Sequence, residues 1–207
     1  VWKNKDLANL LNNKNCSVAP NGVMYRTDEQ GLIPSILNEW FKERVKFKKI
    51  RDDAYKAKNI PKAQLFDRRQ YIQKILLNSM YGVAALPVFR FHDVDNAASV
   101  TATGRAMIRY AEKRGNDFYN DKTQDPKDYC IYIDTDSLLF SAKSLVATMY
   151  PDVDMTDNDA MVNTTLNICE QFQDYVNIGM DKFATDFVNI DKHSFSFKQE
   201  LIASSGF

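Results

Sequence analysis

The stretch Tyr129-Cys130-Ile131-Tyr132-Ile133-Asp134-Thr135-Asp136-Ser137-Leu138-Leu139-Phe140 carries the clearest fold signal in the chain. Two β-type runs, Tyr129–Ile133 and Leu138–Phe140, flank Asp134-Thr135-Asp136-Ser137. That pattern predicts a β-hairpin with a very short acidic turn. Two carboxylates one residue apart repel each other unless a cation lies between them, and oxygen ligands with few dedicated protein contacts suit Mg²⁺. Two such ions roughly 4 Å apart can serve an in-line phosphoryl displacement. Taken alone, an Asx-turn on the surface is the plainer reading, because Asp is common in turns.

Upstream, the pattern is helical. Ile33, Ile36, Leu37, Trp40 and Phe41 repeat at helical spacing, and the segment then turns basic to about Lys58. Pro34 is tolerated in the first turn. Asn59-Ile60-Pro61 reads as a break, followed by a second helix from about Lys62 to Tyr81 with Gly82 as its C-cap. Residues 32–83 therefore predict a helical hairpin. Residues 1–31 read as a polar lead-in with a turn at Pro20-Asn21-Gly22. Downstream, Pro87–Asp93 is expected to be extended, Asn96–Lys113 helical and Asp157–Phe183 helical. The alternation of Phe195, Phe197 and Leu201 predicts a final strand, so residues 84–207 mix helices with an antiparallel sheet. The fold class is α+β.

An apolar content of 44% and a charged content of 26% are those of an ordinary globular chain. No apolar run approaches the roughly 20 residues of a membrane-spanning helix. The zero net charge hides an uneven distribution. Residues 42–74 carry twelve Lys and Arg against four Asp and Glu, whereas residues 116–191 carry fifteen acids against four bases. One part suits anions and the other cations. Cys16, Cys130 and Cys169 have no paired spacing, which fits a reducing cytoplasm and argues against a zinc site. Val1 opens the sequence without an initiator Met, as expected for a piece of a longer chain.

The helical segment Lys74-Ile75-Leu76-Leu77-Asn78-Ser79-Met80-Tyr81-Gly82 adds a second signal. At about 100° per residue, Lys74, Asn78 and Tyr81 share one narrow stripe. Lys suits phosphate charge, Asn a phosphate oxygen and Tyr a base or sugar. Arg44 and Lys48, four apart on the first helix, could hold one polyphosphate between them.

Lys74-x-x-x-Asn78-Ser79-x-Tyr81-Gly82 followed by Asp134-Thr135-Asp136-Ser137 resembles the paired signature motifs of family B DNA polymerases. Cys16-Ser17, Pro20-Asn21-Gly22, Phe89-Arg90, Asp93 and Asn96-Ala97 extend that resemblance to the T-even-like phage replicases. The resemblance implies that residues 32–83 are fingers and 84–207 a partial palm. It implies that Arg44, Lys48, Lys74 and Asn78 bind the deoxynucleoside triphosphate, and that Tyr81 lies under the nascent base pair. Asp136 would be the catalytic, metal-ligating aspartate, with Asp134 beside it in a less direct role. Glu200 resembles a further acidic palm residue. The implied cofactor is a pair of Mg²⁺ ions, with Mn²⁺ as a substitute. The implied partners are primer–template DNA, nucleotide, the remainder of the polymerase and a sliding clamp, in the cytoplasm of a host cell if the source is viral.

Two departures temper these expectations. Ile133 stands where the family usually has Gly, and the upstream Asp-x-x-Ser-Leu-Tyr-Pro motif, with its metal-bridging aspartate, has no match. The isolated chain is therefore expected not to polymerise. A non-catalytic nucleic-acid- or protein-binding module on the same scaffold is the alternative, and a two-metal nuclease a third. His92 and His193 read as structural or surface residues, and Asp152, Asp154, Asp157 and Asp159 as a solvated loop lacking the Gly and Glu of a Ca²⁺ hand. Trp40 and Phe41 read as core.

Overall fold

In the computed structural model the described residues are residue 9 and residues 16–203. Gly22 sets the first turn. Its φ of 87° is open to glycine at little cost, and its N–H donates to the Ala19 carbonyl at 2.8 Å. The turn joins β1 (Cys16–Val18) to β2 (Met24–Arg26) in a two-stranded sheet.

Two 25-residue helices follow, α1 (Leu32–Lys56) and α2 (Ile60–Ala84). Lys58, at φ 55°, reverses the chain after α1. The Asn59 side chain then accepts the Lys62 N–H at 3.2 Å, capping α2, while Pro61 occupies the first turn where no N–H is needed. Asn59-Ile60-Pro61 is thus the start of the second helix rather than a spacer. The small side chains of Ala54 and Ala63 let the helices approach, and with Gln70 they are the buried residues of the pair. Around them Phe47 meets Phe66 with ring centres 5.8 Å apart, Arg51 pairs with Asp67 at 3.1 Å, and Gln73 donates to Glu43 at 2.7 Å. Phe41, expected in the core, is 54% exposed, and Trp40 is half-buried.

Gly82 does not end α2. The helix continues to Ala84, with Ala85 as C-cap in right-handed geometry. Residues 87–93 are not extended either. The Phe89 N–H donates to Leu86 and the His92 N–H to Phe89, so the segment is a run of turns. The open carbonyls of a helix C-terminus explain this. The Ala84 carbonyl accepts the Asp93 N–H at 3.0 Å and lies 3.1 Å from His92 Nδ1.

Helix α3 (Val94–Thr123) starts with the Asp93 carboxylate accepting the Asn96 N–H at 3.0 Å. It runs ten residues beyond the expected end. Gly115 is a packing residue there, not a breaker, because a Cβ at that position would overlap the Phe140 ring. β3 (Cys130–Asp134) and β4 (Ser137–Phe140) form the expected antiparallel hairpin. α4 (Lys143–Met149) and α5 (Asn158–Phe183) follow, α5 being capped by the Asp157 carboxylate on the N–H groups of Asp159 and Ala160. A π-helical turn, Ala184–Val188, ends at Asn189 with φ 61°.

The expected final strand is absent. Among residues 189–203 no strand forms, and Phe195 and Phe197 instead pack against Ala111, Val176 and Met180. The alternation is apolar burial without a strand partner.

The chain divides into two compact units, each with its own packing. One spans Tyr25–Val100 and holds α1 and α2. The other combines the described residues up to Met24 with those from Thr101 onward, and its core is aromatic. Phe118, Tyr119, Tyr129, Leu145, Val146 and Ile168 are buried there, with Phe140 stacked on Tyr119 at 5.4 Å and edge-on to Phe172 at 5.1 Å. Each such side chain stabilises the fold by about 1.5–3 kcal/mol on burial. The architecture is α+β.

Candidate functional site

The acidic hairpin tip is built by register. Tyr132 faces Leu139, Ile133 faces Leu138 and Asp134 faces Ser137, leaving Thr135 and Asp136 as a two-residue turn. A bulge between Cys130 and Tyr132 absorbs one extra residue lower in β3. Ile133 therefore sits in a regular pair, and its bulk does not disturb the ladder beside the tip. Thr135 does carry strain. It holds φ 51°, a left-handed geometry that costs a β-branched residue about 1–3 kcal/mol. The Asp136 N–H folds back onto the Asp134 carbonyl, and the Ser137 hydroxyl donates to that same carbonyl at 3.0 Å. The Thr135 hydroxyl donates to the Asp134 carboxylate at 3.0 Å.

Both aspartates are exposed, and neither pairs with a Lys or Arg among the described residues. Two adjacent carboxylates without a protein cation suit a hard divalent ion. The tip offers a partial ligand set, since no group of three His, Cys, Asp or Glu suited to a metal occurs among the described residues.

At the base of the hairpin the Cys130 thiol is pushed up to about 11, chiefly by burial and further by the Glu112 and Asp128 carboxylates. It is a protonated, unreactive thiol at neutral pH.

The cationic residues lie on the helix pair. Lys74 and Asn78 are exposed and line a shallow depression of about 360 Å³ together with Tyr71, Ile75 and Ser79. Tyr81 is 44% exposed and outside that lining. The depression runs the other way, toward Tyr71, a residue whose position three before Lys74 was the only available sequence signal. On α1, Lys48 is exposed, while Arg44 is half-buried with its Nε enclosed and unpartnered among the described residues. Glu43 is already held by Gln73. Because Glu43 meets Gln73, Arg44 and Lys74 lie within about one helical turn of each other along the hairpin. Lys48 follows Phe47, which packs at the level of Phe66, so it lies farther along.

Glu200 is exposed on the irregular segment after Phe197. That segment and β4 share one apolar cluster, because Leu138, Phe195 and Phe197 all pack on Ala111, Val176 and Met180. The residues that hold the segment, Gln173 and Asn177 on α5, gave no sequence signal beyond being amides four apart. His193 is structural, lying 3.0 Å from Asp181 and accepting the Phe195 N–H at 3.1 Å. The acidic loop before α5 is tied internally, Asp154 accepting the Thr156 N–H and hydroxyl.

The sequence model of DNA polymerase family B matches residues 2–182. The chain is 36% identical to a DNA polymerase of Paramecium bursaria Chlorella virus NY2A over 55% of its own length and 12% of that protein. It is 28% identical to the DNA-directed DNA polymerase of Escherichia phage RB69 over 66% of the chain and 14% of the phage protein. It is 37% identical to DNA polymerase 1 of Pyrococcus abyssi over 62% of the chain and 16% of that protein. The matched part of the chain thus spans 12–16% of the length of these relatives.

Proposed function

Since the chain belongs to DNA polymerase family B, we propose that it contributes the fingers and part of the palm to template-directed DNA synthesis by two-metal nucleotidyl transfer. The observation that carries this reading is the strained, exposed tip, where Asp134 and Asp136 stand together with no Lys or Arg paired to them among the described residues. Residues 32–83 act as fingers and residues 84–207 as palm. Asp136, assisted by Asp134, would hold Mg²⁺ or a substituting Mn²⁺, whose charge would lower the barrier to attack by a primer 3′-hydroxyl on the α-phosphate, with the α–β phosphoanhydride broken and pyrophosphate released. Arg44, Lys48 and Lys74 bind the triphosphate by charge, and Asn78 donates to a phosphate oxygen. Tyr81 offers its ring to the nascent pair. Glu200 adds acidic charge on the palm side. Catalysis on this reading is positioning and charge stabilisation.

The tip supplies two carboxylates, so polymerisation needs further ligands from the remainder of a longer polymerase. Primer–template DNA, deoxynucleotides and a sliding clamp are the partners that follow, in a cytoplasmic setting. Among the described residues no helix is long and apolar enough to cross a membrane.

The test uses a polymerase in which this segment is joined to the upstream palm segment. Asp136→Ala should abolish template-directed incorporation while primer–template binding persists. Lys74→Ala should raise the KM for nucleotide by about tenfold or more. Incorporation that survives Asp136→Ala overturns the metal role. An unchanged KM in Lys74→Ala removes the triphosphate role of that residue.

A further inference from the structure

The segment that carries Glu200 is irregular and pairs with no strand among the described residues. Three of its backbone groups bond to side chains of α5 instead. The Asn177 amide donates through Nδ2 to the Phe197 carbonyl at 3.0 Å and accepts the Phe197 N–H at Oδ1 at 2.8 Å. One side-chain amide thus makes both bonds that a neighbouring strand residue would make. One turn earlier on α5, Gln173 Oε1 accepts the Gln199 N–H at 3.0 Å. The two amides form a short ladder on alternate residues, 197 and 199, and Glu200 follows directly. Below the ladder, Phe195 and Phe197 share their apolar cluster with Leu138, two residues past Asp136.

We propose that Asn177, with Gln173, positions Glu200 relative to the Asp134–Asp136 tip, so that α5 sets the geometry of the acidic palm residue. The inference rests on the polymerase reading above and goes beyond it in assigning a role to helix residues that touch no substrate. Amides suit the task because they supply donor and acceptor without adding charge beside the carboxylates. Both are positioning residues and act through the backbone of residues 197–199. A Leu at 177 would leave the Phe197 N–H and carbonyl unpaired.

The test is a double-mutant cycle in the full polymerase, comparing Asn177→Ala, Glu200→Gln and the pair in single-turnover incorporation. Asn177→Ala is expected to lower the maximal rate about tenfold, with nucleotide KM changed less than twofold. In the Glu200→Gln background it should have almost no further effect, because the group it positions is already gone. Independent effects in the cycle would overturn the proposal, as would a Glu200→Gln variant as fast as the parent. Should Asn177→Ala not fold, hydrogen exchange of the unaltered protein decides. The Phe197 and Gln199 amides should be protected at least tenfold over neighbouring Lys198, and equal exchange would overturn the ladder. Loss of activity in Asp136→Ala alongside independent effects would leave the polymerase reading standing and remove only this one.

Discussion

The helix pair α1–α2 and the unit that carries the acidic hairpin are stabilised in different ways. The pair buries only Ala54, Ala63 and Gln70, and leaves Phe41, Val45, Leu65, Ile72 and Ile75 largely exposed. Its charged side chains are spread along two solvated helices. The other unit encloses a set of touching rings, with Tyr119, Phe140 and Phe172 in mutual contact and Phe118 against Tyr119 and Phe172. On that rigid base it can hold Thr135 in a strained geometry at the hairpin tip. A long helix pair with a thin seam suits groups that bind a flexible polyanion, where reach matters more than exact placement. A densely packed core suits carboxylates whose spacing must be held.

Substitutions can break or sharpen that contrast. The largest effect is expected in the aromatic core, where Phe118→Ala should cost about 3–5 kcal/mol in urea denaturation, since the Phe118 ring meets Tyr119, Phe172 and Tyr175. A loss below about 1 kcal/mol would mean that this core is not what stabilises the unit. Next is Gly115→Ala, whose new methyl would meet the Phe140 ring. Overpacking of this kind should cost about 1–3 kcal/mol despite the better helix propensity of Ala. The smallest is Gly82→Ala on the helix pair. Beyond the helix's own backbone and the adjoining residues, no described atom lies within 4 Å of the added Cβ, so propensity alone acts and stability should rise by about 0.5–1 kcal/mol. Opposite signs for the same Gly→Ala change would sharpen the difference between the two units. Equal signs would erase it.

Much of the fold was legible because its signals are local. Helical periodicity from Ile33, the Asn59–Pro61 boundary, the helical spacing from Asp157 and the β-type runs around Asp134 each depend on neighbouring residues only. The misses share a cause. Gly82 looks like a helix end in sequence but lies inside a helix, and the helix expected to stop near Lys113 runs on past Gly115, which answers to a ring that arrives from 25 positions later. Phe195 and Phe197 alternate like a strand, yet their hydrogen-bond partners are Asn177 and other side chains, which periodicity cannot reveal. Phe41 follows the apolar spacing of α1 but falls where the thin seam covers nothing. The acidic pair, the cations and Tyr81 were nameable from motif spacing. Tyr71, Gln173 and Asn177 were not, because their significance comes from what lies beside them in space.

The most direct measurement is single-turnover incorporation against Mg²⁺ concentration, at saturating nucleotide and primer–template, in a polymerase carrying Asp136→Asn. That change removes one negative charge from the tip while keeping its shape. The rate should fall by about a hundredfold or more, with primer–template affinity unaltered. A rate within a factor of two of the parent across the Mg²⁺ range would contradict a metal-binding hairpin at residues 134–136.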